Sequence, residues 1–398
     1  MSERRRICVV VASRANYARV KTVLSAIRSH PGLELQIVAG ASLLLHRFGN
    51  AVDVLTGDGF EPDATIRFII EGETPATMAK SAGLGLLELP TVFELLQPDI
   101  VVTVADRFET ISTAIAAAYM NILVAHTQGG EISGSIDESV RHAVTKLSHI
   151  HFPSTSLAAR RIEAMGEDPE TIFSVGCPSI DLVVETNLDF NPTILTNLGG
   201  VGSTIDPDAP FVLVMQHPVT TEYGHGLEQI QQTLDAVAAL GVQALVFWPN
   251  VDAGSEDVAK GIRVFREFGR GPRFHFFRNL PPEVFINLMA NCACMVGNSS
   301  SAIREGSFLG TPAVSVGTRQ QGRERGDNVV EVQHDREQIA SAISDQIRHG
   351  RYPSSSLFGD GTAGKRIADV LATVSPRLQK QANFDGLDVD DRVLGTRS

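Results

Sequence analysis

Short apolar, β-branched runs recur along this chain, each followed by a stretch of helical period, and the whole alternation occurs twice. Residues 6–12, 33–39, 100–105 and 122–125 read as strands. Residues 17–28, 74–97, 110–119, 137–147 and 156–165 read as helices, the second of these broken around Gly83 and Gly85 and again at Pro90. Strands that are apolar on successive residues, separated by single helices, imply a parallel sheet covered on both faces.

After residue 187 the composition shifts to Asn, Thr, Gly, Asp and Pro up to residue 210, which reads as a linker. The alternation then restarts, with strands at 211–215, 244–248, 274–277, 293–296 and 313–316. Helices are expected at 227–239, 257–268, 282–290, 301–309 and 336–348. The expected fold class is therefore α/β, with two doubly wound parallel sheets. The first unit covers residues 1–186 and the second 205–375, and a tail at 376–398 is expected either to be loosely ordered or to pack back on the first unit. Ligands of such sheets bind beyond the carboxyl ends of the strands, so two of them facing each other create an interdomain cleft.

A chain of 398 residues exceeds one ordinary core, which agrees with two units. No apolar run approaches the roughly 20 residues that span a bilayer, and the apolar run after Arg4, Arg5 and Arg6 is short for a secretion signal. A cytoplasmic protein with no membrane partner is expected. The four cysteines lack zinc-knuckle spacing and read as buried reduced thiols, with Cys292 and Cys294 on one strand face. A formal charge of −12 argues against a nucleic-acid partner, although a basic pocket can exist on an acidic body.

Every stretch that carries chemistry follows a strand. ASRANY (12–17) offers Arg14 to an anion at a helix start, and a capping Ser13 with a solvated arginine accounts for it equally well. ADRFET (105–110) brings Asp106 and Arg107 to a sheet edge. HTQGGEISGSIDESVRHA (126–143) supplies Gln128, Glu131, Asp137, Arg141 and His142, with Gly129 and Gly130 read as letting backbone approach a ligand. Asp137 and Arg141 are spaced for a helical salt bridge. Yet Asp106, Glu131 and Asp137 converging on one cleft would raise one another's proton affinity, as proton-transfer chemistry requires. In the second half, QHPVTTE (216–222) presents His217 and FWPNVDAGS (247–255) presents Asn250. GNSSSAIREG (297–306) presents Asn298, Ser299, Ser300 and Glu305, and GTRQQGRERGDN (317–328) presents Arg323. Small polar residues at a helix start supply donors for a diphosphate, and Glu305 can accept from ribose hydroxyls. No metal site and no dinucleotide glycine fingerprint are visible.

Taken in order over residues 8–330, these motifs resemble the hydrolysing UDP-N-acetylglucosamine 2-epimerase family, relatives of the sialic-acid-pathway epimerase. The resemblance implies a GT-B-like fold, a UDP-amino sugar substrate, no cofactor, and a homodimer or homotetramer. It implies anti-elimination of UDP to a glycal, then hydration to the free 2-epimeric sugar: N-acetylmannosamine, or the product of a 2,4-diacetamido-trideoxyhexose analogue. Other outcomes consistent with the motifs are a non-hydrolysing epimerase, a GT-B glycosyltransferase and an inactive nucleotide-sugar-binding homologue. By resemblance, Asp106 and Asp137 handle protons and the sugar ring. Arg14, Arg107, His217, Asn250, Ser299, Ser300, Glu305 and Arg323 match nucleotide-contacting positions. The chain departs from the family pattern at Gln128, where many members have a catalytic glutamate. Glutamine accepts no proton at neutral pH, so Glu131 is expected to take up that role. Leu43, Asn16 and Asn279 depart as well, each on or near the sugar-facing side.

Overall fold

A computed structural model describes residues 4–191, 195, 199–269 and 271–383 of the chain. The first sheet uses β1 (Arg5–Val11), β2 (Leu33–Gly40), β3 (Ala64–Ile66), β4 (Ile100–Val104), β5 (Leu123–Thr127) and β6 (Ile150–Phe152), in the order β3-β2-β1-β4-β5-β6. All its pairings are parallel. Around it lie α1 (Arg14–Ser29), α2 (Ala51–Gly57), α3 (Pro75–Leu96), α4 (Thr110–Tyr119), α5 (Asp137–Leu147), α6 (Ser156–Ala164) and α7 (Pro178–Glu185). The second sheet comprises β7 (Val201–Gly202), β8 (Phe211–Met215), β9 (Gln243–Phe247), β10 (Phe274–Phe277), β11 (Cys294–Gly297), β12 (Ala313–Val316) and β13 (Val329–Val332). Its order is β13-β12-β11-β8-β9-β10-β7, parallel except for the short β7 edge. Its helices are α8 (Gly226–Ala239), α9 (Ser255–Glu267), α10 (Pro282–Asn291), α11 (Glu305–Leu309) and α12 (Arg336–His349).

Counted from the first strand of each half, both sheets follow one winding scheme. The strand order reverses between β1 and β4 in the first and between β8 and β11 in the second. Those two switch points are where a doubly wound sheet opens a crevice. The loops leaving these four strands hold Arg14, Asp106, His217 and residues 299–301. Winding alone thus delivers four separate sequence motifs to one cleft.

Several local expectations differ from what is observed. The helix over residues 75–96 is continuous through Pro90, because a missing ring-side N–H removes only one bond of a helix held by packing. Of its two glycines, Gly85 serves contact, since a Cβ there would sit 3.1 Å from the Phe68 ring and from Ser112 Oγ, whereas Gly83 faces open space. Residues 301–304 form a turn, and only five residues, Glu305–Leu309, are helical there. Cys292 caps α10 and packs in the cluster with Leu213 and Phe247, whereas Cys294 lies in β11 and packs in the cluster with Val212 and Val314. The two thiols therefore face opposite sides of the sheet. All four cysteines are buried and free.

The chain also returns to its first half earlier than residue 376. A further helix, α13 (Ala363–Thr373), inserts Ile367, Ala368 and Leu371 into the core beneath α1. Asp181 of α7 fixes its start by accepting from the backbone N–H groups of Ala363 (2.9 Å) and Gly364 (2.6 Å). Beyond it, Lys380 donates to the Lys146 carbonyl at 2.8 Å and Asn383 N–H to the Gly166 carbonyl at 2.8 Å. The rest of the expected tail, residues 384–398, lies outside the described residues. Among the described residues no helix is long and apolar enough to cross a membrane.

Candidate active site

The cleft between the two sheets encloses about 1080 Å³, including its open mouth. Its walls take Arg14, Arg19, Asp106 and Arg107 from the first half, and His217, Asn250, Ser299, Ser300, Glu305 and Arg319 from the second. An apolar side is made by Tyr17, Val54, Phe247, Leu280 and Phe285. Of the expected site residues, eight therefore line the cleft itself. Glu131, Gln128, Arg141, Asn298 and Arg323 are buried behind it, and Asp137, expected to converge on the cleft, is not part of the lining but lies 3.5 Å from Arg319, which is.

Asp106 follows β4 after Ala105, whose φ of 61° turns the chain out of the sheet. Its Oδ2 accepts from Arg141 Nε at 3.2 Å and from Arg141 Nη2, and lies 3.5 Å from Arg323 Nη2. Its Oδ1 lies 3.6 Å from Arg19 Nη1. Burial alone would push this carboxyl up, but the guanidiniums of Arg141, Arg19, Arg323 and Arg304 hold it well below the usual carboxylate range. Asp137 goes the other way. Burial, then the neighbouring charge of Asp106, raise it, and the Arg319 guanidinium at 3.5 Å offsets this only in part. Two nearby carboxyls with affinities driven apart make one anion and one proton carrier.

The helical spacing of Asp137 and Arg141 does not become a salt bridge. Arg141, fully buried, reaches Asp106, the Glu131 carbonyl (2.8 Å), Ser133 Oγ (2.9 Å) and Glu138 Oε2 (2.6 Å). It is the post on which Asp106 is mounted, and Asp137 stays free of it. His142 turns from the cleft toward Glu138 Oε1 at 2.8 Å and is absent from the lining, contrary to a substrate-binding role.

Glu131 differs most from expectation. Its Oε2 accepts from Arg304 Nη2 at 2.6 Å and lies 3.6 Å from Arg323 Nη2. Burial raises this carboxyl, but Arg304, Arg323 and Arg141 bring it below its ordinary value. Oε2 is thus a strut between the two halves while Oε1 is buried without a hydrogen-bond partner, and the lowered proton affinity makes the group a poor base. Gln128 is equally enclosed, with φ 62° and its Nε2 donating to Cys177 Sγ at 3.1 Å. The neighbouring glycines serve packing and not a ligand: a Cβ on Gly130 would meet the Ala158 carbonyl at 2.2 Å. Gly134 lies against the Thr318 carbonyl in the same way, which presses this loop onto the second half.

On the opposite wall His217 is pinned by Asn298, whose Oδ1 accepts from its N–H (2.7 Å) and whose Nδ2 donates to its carbonyl (2.8 Å). Asn298 thus positions the histidine and does not line the cleft. Burial, with Arg319 and Arg14 nearby, holds the imidazole well below its ordinary range. Its Nδ1 accepts from Asn250 N–H at 3.2 Å, so the neutral ring carries its proton on Nε2 and is a donor there. Arg107 is saturated by Glu109 (2.8 Å), the Val251 carbonyl (2.9 Å) and Asp252 (3.0 Å), which makes it a cross-cleft strut more than a free ligand. Arg14 donates to the carbonyls of Arg278 and Trp248 and to Asn250 Oδ1, again bridging the halves. Asn16, which departs from the family pattern, is core: it accepts from Ala12 N–H and donates to the Val104 carbonyl. Leu43 is core too. Sequence reasoning missed Arg19 and Arg319. Arg19 lies five residues past Arg14, a spacing that puts no two residues on one helix face, and its partner Ser300 is distant in sequence, so no local signal marks it.

His126, beneath the site, donates from Nε2 to the Ala105 carbonyl at 2.8 Å and is held down to about 3 by burial. A lowered histidine takes up its proton later in the folded state than in the unfolded one. Stability is therefore full above the ordinary value near 6.5 and is lost as pH falls from there toward about 3, by up to ~1.4 kcal/mol per pH unit. Thermal melts from pH 7 to 5 should show this slope, and His126→Gln, which keeps a donor but does not titrate, should flatten it. An unchanged slope in the variant would remove His126 as its source.

A family model described as UDP-N-acetylglucosamine 2-epimerase matches residues 25–372. The chain is 34% identical over 370 residues to a Legionella pneumophila protein named UDP-N,N'-diacetylbacillosamine 2-epimerase (hydrolyzing), covering 93% of this chain and 96% of that one. It is 28% identical to a UDP-N-acetylglucosamine 2-epimerase of Neisseria meningitidis, covering 92% and 95%. In fold it is similar to the Methanocaldococcus jannaschii UDP-GlcNAc 2-epimerase solved with UDP-GlcNAc and UDP, with TM-score 0.76 at 15% identity over 92% of this chain and 99% of that one.

Proposed function

The chain belongs to the UDP-N-acetylglucosamine 2-epimerase family, and on that premise we propose that it is a hydrolysing 2-epimerase of UDP-linked 2-acetamido sugars. The similarity to the Legionella relative favours a 2,4-diacetamido-trideoxyhexose as the sugar, with N-acetylglucosamine the alternative that the Neisseria relative suggests. The observation that carries the reading is Asp106 on the cleft wall, opposite arginine, serine and neutral histidine donors, with its neighbour Asp137 lying 3.5 Å from the lining residue Arg319. Elimination needs a base at C2 and a stabilised diphosphate leaving group. Asp106, held as the anion, takes the C2 proton while the C1–O bond breaks and UDP leaves with the bonding pair. Ser299, Ser300, the α1 start at Arg14 and the Nε2–H of His217 meet the charge that develops on the diphosphate. Asp137, with its raised proton affinity, returns a proton to C2 on the other face. Water adds its hydroxyl at C1 and its proton restores Asp137, and the proton on Asp106 passes to solvent.

Incubation with a panel of UDP-amino sugars, followed by NMR of the products, tests this. UDP and a free C2-inverted amino sugar are expected from at least one member. A UDP-linked epimer as sole product would mean a non-hydrolysing enzyme, acceptor-dependent transfer a glycosyltransferase, and UDP binding without turnover an inactive homologue.

A further inference from the structure

Four guanidiniums line the cleft, and their hydrogen-bond accounts differ. Arg107 is saturated by its own protein, Arg14 is committed to residues 248, 250 and 278, and Arg319 donates to the Asn298 carbonyl at 3.1 Å beside Asp137. Arg19 alone among them holds a buried N–H group, Nη1, that no acceptor reaches within hydrogen-bond distance. Its Nη2 donates to Ser300 Oγ at 2.8 Å, on the serine turn of the second half. Facing the same space, Glu305 keeps a buried Oε2 with no donor. An unmade bond in a buried charged group costs more than an ordinary hydrogen bond contributes, so this pair of orphans describes a ligand. It must offer an anionic acceptor beside Ser300 and a hydroxyl donor beside Glu305. A nucleoside diphosphate offers both.

We propose that Arg19 grips the diphosphate of the substrate and, in doing so, releases Asp106 Oδ1 to the sugar. The inference rests on the nucleotide-sugar reading above. Asp106 is placed for such an exchange because its two oxygens have separate partners. Oδ2 is anchored by Arg141 of α5 and lies near Arg323 of the loop after β12, whereas Oδ1 faces Arg19 of α1 at 3.6 Å. Arg304, Glu131 and Asp137 complete the charges around it. Withdrawing Arg19 frees the oxygen on the cleft side and leaves the carboxylate oriented by the other. A resting enzyme then keeps its base masked, and the substrate's own charge unmasks it.

The test uses Arg19→Leu and Arg19→Lys in the full chain, with UDP affinity by calorimetry and the pH dependence of turnover. Arg19→Leu should weaken UDP at least tenfold, and Arg19→Lys should stay within about fivefold of the parent, as loss and retention of a charge-assisted contact imply. In Arg19→Leu the acidic limb of kcat/KM, which reports the free enzyme, should move to higher pH. The acidic limb of kcat, which reports the complex, should stay in place because Arg19 has already left Asp106 there. Parent-like UDP binding in Arg19→Leu, or both limbs moving together, overturns the inference. If the leucine variant fails to fold, loss of UDP binding in a folded lysine variant does so instead. An unmutated protein that binds no UDP overturns the nucleotide-sugar reading itself.

Discussion

Asp137→Asn is expected to lower kcat by about 10²–10⁴-fold while leaving UDP affinity within a few-fold. The reasoning starts from proton affinity. Burial and the charge of Asp106 raise Asp137, so it can hold and return a proton, which an amide cannot. Asp137 lies 3.5 Å from Arg319, and that guanidinium keeps its bond to the Asn298 carbonyl, so the nucleotide wall holds its shape without the carboxylate. Asp106→Asn should produce a comparable fall in turnover with a second signature. Removing that anion leaves Arg141, Arg19, Arg323 and Arg304 facing one another around a neutral group, so the melting temperature should drop as well. UDP release assays and thermal melts on both variants measure this. Equal turnover in parent and Asp137→Asn would take Asp137 out of the chemistry, and an unshifted melt in Asp106→Asn would contradict the charge balance described here.

The largest expected loss of stability belongs to Arg304→Met. Arg304 is almost fully buried and its Nη2 donates to Glu131 Oε2 at 2.6 Å, across the junction of the two halves. Methionine fills similar space but leaves Glu131 as a buried anion that loses its direct hydrogen bond and keeps Arg323, at 3.6 Å, and the charge of Arg141. Breaking one side of such a pair costs about 3–5 kcal/mol, whereas replacing both sides by apolar residues is often neutral or better. Arg304→Met alone should therefore lower the denaturation midpoint strongly, and the double variant with Glu131→Leu should recover much of it. No recovery in the double variant would show that the strut is not what Arg304 provides.

What the sequence reveals of the fold and the site follows from what each pattern encodes. Continuous apolar runs such as Ile100–Val104 announce buried parallel strands because both faces need apolar side chains. Short strands at the sheet edges, Ala64–Ile66, Ile150–Phe152 and Val329–Val332, carry three or four residues each, too few for any period to register. Asp106, His217, Ser299 and Ser300 can be placed at the cleft from sequence because strand ends of a doubly wound sheet face it. What could not be read is which charge answers which. Arg141 is spaced for Asp137 and instead holds Asp106, since three-dimensional packing and not helical spacing chose its partner. Glu131 looked like a spare base and is a strut because Arg304, 173 residues away, folds against it. Arg19 carries no local signal for the same reason: its partner, Ser300, lies in the other half of the chain.

The central claim is that carboxylates on one wall move the C2 proton while donors on the other let the C1–O bond break. A turnover run in D₂O containing ¹⁸O-labelled water, with both products examined by mass spectrometry and NMR, tests it most directly. The account predicts one deuterium at C2 of the released sugar, ¹⁸O at its C1, and no ¹⁸O in UDP. Label in the UDP phosphate, or a sugar with its original hydrogen at C2, would contradict it.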